Sequence, residues 1–125
     1  MSMREHKREI TKSVRDFFER GMRGHTAVWE LTSFNDDVYE IKRTGGRPTL
    51  KVLIVDIYIF GEADVVELRE KYPDIDCIVL VGFYNRYSSS AKDMVKDMGF
   101  GLFTNSEFFG ALNLTGGKFF NYEKK

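Results

Sequence analysis

The chain has one cysteine, two prolines, two histidines, one tryptophan and no excess of charge of either sign in its 125 residues. The lone Cys77 excludes an internal disulfide and any zinc site built on paired cysteines. It lies in the apolar run IDCIVLV, where a small buried hydrophobe is the expected role. His6 and His25 sit in polar surroundings without the spacing of metal ligands, and are expected at the surface. Nineteen basic residues balance nineteen acidic ones, so a nucleic-acid or membrane partner must be argued from local patches and not from net charge. The opening MSMREHKREI is too polar for a signal peptide, and the longest apolar run, LIVDIYIF, is too short to span a bilayer. The expectation is a cytoplasmic protein with no membrane partner.

What the chain does have is material for a core. Apolar residues make up 42% of it and aromatics 14%, a combination that disordered chains lack. The length fits a single domain over residues 1–125, with its core over about 4–114 and a C-terminal tail over 115–125, of which the closing NYEKK is expected to be loose.

Periodicity sets the order of elements. Ile10, Val14, Phe17 and Phe18 form one apolar stripe of a first helix, with Ser2 and Glu5 at capping-box spacing and Gly21 and Gly24 as the stop. HTAVWELT and DVYEIKR read as strands, the first with Ala27, Trp29 and Leu31 on one side. TGGRP then makes a hairpin turn. LKVLIVDIYIF is apolar on both sides apart from Lys51 and Asp56, which marks the middle of a covered sheet. GEADVVELREKYP is a short helix, DIDCIVLVGF another buried strand, and SSSAKDMVKDMG a helix opened by Ser90 with Asp93 and closed by Gly99. FGLFT is a short strand, and Thr104 with Glu107 caps a last helix. The fold class expected is α/β, in the order α-β-β-β-α-β-α-β-α, with a central mixed sheet flanked by helices.

Three places carry candidate chemistry. Asp56 is a carboxylate set among apolar neighbours, and such a group needs a metal, a basic partner or backbone amides. Arg86 precedes a serine-rich helix start that could cradle a phosphate, with Tyr84 and Tyr87 at hand to stack on bases. Lys42, Arg43, Arg47 and Lys51 surround the hairpin, and Arg4, Lys7, Arg8, Lys12 and Arg15 stand at the N-terminal end, each group able to track a nucleic-acid backbone or simply to face water. Trp29 and the pairs Phe17-Phe18, Phe108-Phe109 and Phe119-Phe120 are expected mostly in the core, the last pair also able to cover a sheet edge or make a subunit contact.

The stretch LIVDIYIFG…ELREKYPDIDCIVLVG resembles the phosphoacceptor half of receiver domains, but the likeness ends there. Gly82 stands where a hydroxyl residue is expected and Phe103-Thr104 where a lysine is expected. The whole order, closing on SSSAKDMVKDMGFGLFTNSEFFGALN, resembles the restriction-endonuclease-like nucleases of the Mrr and archaeal Holliday-junction-resolvase type. That resemblance implies Glu19 as the acid of the first helix. It implies Asp37 (or Asp36) and Asp56 as a pair holding Mg²⁺, and places Tyr58 where the family keeps its catalytic lysine. A tyrosine lacks the fixed positive charge that stabilises phosphate, so only Lys42 or Lys92 could stand in. Lys42 ends a Glu40-Ile41-Lys42 triplet on the wrong arm of the hairpin. The resemblance thus implies a nuclease-like protein, weak or inactive as an Mg²⁺-dependent phosphodiesterase, that binds nucleic acid (DNA ahead of RNA) through Lys42, Arg43, Arg47, Lys51, Arg86, Ser89 and Lys92. The alternative is a non-catalytic interaction protein, dimerising through its aromatic tail.

Overall fold

A computed structural model of the chain describes residues 7–35 and 37–123. The first half runs β1 (Lys7–Arg8), α1 (Lys12–Arg23), β2 (Val28–Asn35), β3 (Val38–Arg43), β4 (Leu50–Ile57) and β5 (Ile59–Phe60). The second half runs α2 (Glu62–Lys71), β6 (Cys77–Leu80), β7 (Arg86–Tyr87), α3 (Ser89–Met98), β8 (Gly101–Thr104), α4 (Asn105–Ala111) and α5 (Gly116–Phe120). β2, β3 and β4 form an antiparallel meander, and β6 and β8 extend it in parallel, giving the order β2-β3-β4-β6-β8. β1 adds a sixth strand by pairing Lys7 and Arg8 with the end of β4.

This is the α/β class with a mixed central sheet between helices, and side-chain alternation explains its layers. On β4, Val52 and Ile54 face one core with Phe18 and Met22 of α1, Phe108 of α4 and Phe119 of α5. Leu53, Val55 and Ile57 face the other, with Val65 and Leu68 of α2 and Ala91 and Val95 of α3. A strand buried on both faces has no room for polar alternation, which is why LKVLIVDI reads as almost continuous hydrophobe.

The structure departs from the sequence expectation in five places. The first helix begins at Thr11, whose hydroxyl accepts from the Val14 amide, so Lys7 and Arg8 lie in a strand; Ser2 and Glu5, with Arg4 and His6, fall outside the described residues. The long central strand breaks at Tyr58, and Ile59–Phe60 pairs instead with Arg86–Tyr87 in a separate two-stranded ribbon. A register shift between Val28 and Glu30 breaks the alternation of β2, so Ala27 and Val28 are both buried and Trp29 is left 62% exposed. α3 is capped by Ser88, two residues before the expected position. The tail after the last expected helix contains a further helix, α5, whose Phe119 is packed in the core against Phe103, with 5.1 Å between ring centroids. The hairpin glycines behave as expected, with Gly45 and Gly46 at φ 69° and 72°, as does Gly99 at φ 80° after α3.

Since Phe119 fills the core, Phe119→Ala should cost about 3–5 kcal/mol in urea denaturation, as interior Phe truncations do. A truncation at a loose tail would leave the midpoint unmoved.

Candidate functional site

Asp56 stands where β4 is about to leave the sheet, and alternation turns its side chain to the α1 side with Val52 and Ile54. A carboxylate there, its side chain 13% exposed, is stable only with partners. Arg8 of β1 donates to Oδ1 over 3.2 Å, and the Asn85 amide donates to the same oxygen over 3.0 Å. Asn85 is buried and does more than this. Its Oδ1 accepts from the backbone amides of Ile57 (3.2 Å) and Gly82 (3.0 Å), so one side chain closes the ends of β4 and β6 together. Gly82 leaves the space for it: a Cβ at that position would run into the Asp56 carboxylate and the Asn85 amide.

A second cluster lies on the same side of the sheet. Arg15 of α1 donates to Asp37 over 2.7 Å and to the Tyr39 hydroxyl over 3.1 Å, and Tyr39 in turn donates to Glu19 over 2.6 Å. Arg23 pairs with the other Glu19 oxygen at 3.2 Å. Burial, and then the bond to Glu19, raises the Tyr39 phenol above its ordinary range and keeps it a donor. The Asp37 carbonyl accepts from the Ile54 amide, so Asp37 sits beside β4 just short of Asp56.

The structure therefore brings Asp37 and Asp56 to one side of neighbouring strands and hands each carboxylate to an arginine. Asp36, the other candidate, lies outside the described residues. Among the described residues no three of His, Cys, Asp or Glu gather where they could hold a metal, and the arginines already neutralise the pair.

Neither stand-in lysine reaches Asp56. Lys42 belongs to the opposite face of β3 and pairs with Glu30 at 3.5 Å, beneath Trp29. Lys92 is 2% exposed, donates to the carbonyls of Leu102 and Tyr122 and rides over the Phe103 ring, so no phosphate can reach it. Arg43 also leaves the nucleic-acid list: it is buried and donates to the carbonyls of Pro48, Leu112 and Leu114, tying β3 to the end of α4. Arg47 is held on the carbonyls of Thr44 and Asn113, and Lys51 lies over Phe34. Ser89 is exposed at the first turn of α3. His25 is half-buried, not a surface residue: it accepts from the Ala27 amide at Nδ1, and Nε2 therefore donates to the Phe109 carbonyl over 2.8 Å.

Arg86 and Tyr58 remain in the open. The Arg86 guanidinium lies over the Tyr58 ring at 5.6 Å, and the two share a shallow recess with Arg8 and Tyr84. Beside it, Phe83 and Tyr84 are 78% and 82% exposed, with Phe83 against Phe17 at 6.1 Å between ring centroids. Tyr87, the other expected stacking residue, is instead tied to both oxygens of Glu107, and burial with that bond pushes its phenol well up. Sequence reasoning missed Asn85, Phe83 and Arg8's role. The only signal for Asn85 and Phe83 was a short polar-aromatic loop, GFYNRY, directly after a buried strand.

No family model, curated protein or solved structure matches the chain.

Two outcomes follow from these contacts. Asn85→Ala strands the Ile57 and Gly82 amides and half of Asp56's partnership, and should cost at least about 2 kcal/mol in chemical denaturation. For Lys92, burial outweighs the pull of Glu107 and Glu123 and lowers its pKa to about 8 from 10.5, with Lys96 also lowering it. Between those values the unfolded chain holds a proton that the folded chain has released, so stability rises with pH. Burial raises Cys77 and Tyr87, which pull the other way above their ordinary values of 9.0 and 10.0. From pH 8 to 9 the wild type should therefore gain about 1 kcal/mol over Lys92→Met, measured as paired urea titrations at each pH.

Proposed function

We propose that the protein binds nucleic acid carrying unpaired bases, and does not cut it, on a nuclease-like core. The antiparallel meander followed by parallel crossovers, with Asp37 and Asp56 on one side of neighbouring strands, supports the kinship to restriction-endonuclease-like folds. The pairing of both carboxylates with arginine, and the absence of any lysine at their side among the described contacts, supports the non-catalytic version. DNA is the ligand that this kinship favours.

The observation that carries the binding half is the Phe83-Tyr84 loop. Large aromatic rings this exposed are costly to leave in water and tend to mark contact surfaces. Tyr84's recess is lined by Arg8, which is paired with Asp56, by Arg86, whose guanidinium lies over the Tyr58 ring, and by the two tyrosines. Cations for the phosphates beside rings for the bases is the composition of single-strand binding surfaces. A duplex hides its base faces and would use only the cations.

A labelled DNA single strand, titrated by fluorescence anisotropy over a range of salt, should bind with an affinity that falls as salt rises. Tyr84→Ala should weaken binding by about 1–3 kcal/mol, and Arg86→Ala should lower the log–log salt slope by about 0.7. Added Mg²⁺ or Mn²⁺ should produce no cleavage. No binding at low salt would remove this reading.

In that event the second reading, self-association, has a different seat from the one the sequence suggested. Phe119 is in the core, so the aromatic tail is spent, whereas β2 is an edge strand exposing Trp29 and Phe34.

A further inference from the structure

Phe83 and Asn85 of the loop after β6 help to line a groove of about 270 Å³, separate from the recess of Arg8, Tyr58, Tyr84 and Arg86. It opens outside the carboxyl ends of the parallel strands β6 and β8, the place where open α/β sheets form their ligand crevices. Phe17 of α1, Phe83 of the loop and Phe109 of α4 contribute aromatic walls, and Asn105 and Ser106 contribute polar groups. The loop itself cannot drift, because Asn85 pins it to Gly82, Ile57 and Asp56.

Asn105, one of the residues that line the groove, carries a polar atom out of balance. Among the described residues, the Oδ1 of Asn105 is the buried side-chain oxygen or nitrogen with no hydrogen-bond partner. An unpaired buried acceptor costs free energy in the resting protein, and such groups call for an explanation. A ligand that enters the groove with an N–H on its edge, met by a small turn of the amide, removes the cost. A nucleobase is such a ligand: it has flat faces for the phenylalanine rings and donors on its edge for Asn105 and Ser106. Bases lifted out of a stack are held in this way, by apolar or aromatic faces and by bonds to the pairing edge.

We infer that this groove receives one unpaired base of the bound strand, with a neighbouring phosphate on Arg86 and the neighbouring base on Tyr84. The inference rests on the nucleic-acid reading above and adds a base-holding pocket to it. Phe83 and Tyr84, neighbours in the chain, then serve the groove and the recess respectively.

The test uses the full chain and two labelled probes of equal length, a DNA single strand bearing bases and the same backbone made abasic throughout. The wild type should bind the first about tenfold or more tightly than the second. Asn105→Leu removes the unpaired oxygen, so it should fold at least as stably as the wild type, checked by thermal melting. It should nevertheless bind the base-bearing strand about tenfold more weakly while treating the abasic one as before. Ser106→Phe, at an exposed position that plugs the groove, should do the same. Both variants binding the base-bearing strand at wild-type strength would overturn the pocket while leaving the recess intact. Equal binding of the two probes by the wild type would overturn it as well. Failure of the wild type to bind either probe would overturn the nucleic-acid reading itself, and the pocket with it.

Discussion

The carboxyl end of the sheet is organised around the need to keep Asp56 partnered. A charge at the margin of a strand that is otherwise buried on both faces has to be surrounded with donors, and the fold draws them from distant parts of the chain: Arg8 from the first strand and Asn85 from the loop after β6. Because Asn85 also takes the last free amides of β4 and β6, the same contact decides where both strands stop and where the following loop can go. The exposed Phe83 and Tyr84 are a by-product of that arrangement. They are held out in solvent by a buried polar clamp directly behind them.

Much of this was legible in the residues. Central strands declared themselves because burial on both faces forces continuous apolar runs, and the helix ends at Gly99 and Thr104 followed from capping chemistry. Asp56 was conspicuous for the same reason, a charge where none is expected. What could not be read was any feature set by a contact distant in sequence. Thr11 caps α1, and Lys7 and Arg8 before it are drawn into pairing with β4, 48 positions away in the case of Arg8 and Asp56. Trp29 points outward because of a bulge that periodicity does not register. Lys92 and Arg43 looked like surface cations, yet each is buried with its donors on backbone carbonyls, a role that charge alone does not announce.

The acidic residues show how one inventory supports two chemistries. Asp37, Asp56 and Glu19 are the residue types that hold a divalent cation in phosphate-cutting enzymes, and they lie on one side of the sheet. Here their partners are guanidinium groups, which satisfy the same charge without offering a coordination site. An arginine in contact with a carboxylate is a fixed cation, and these pairs tie α1 and β1 to the sheet.

Gly82 gives the arrangement an evolutionary edge. A side chain there would displace both Asp56 and Asn85, so position 82 can grow only if those two side chains give way. Kin of this chain, however far their remaining letters have diverged, should keep Gly wherever they keep Asp and Asn at these places.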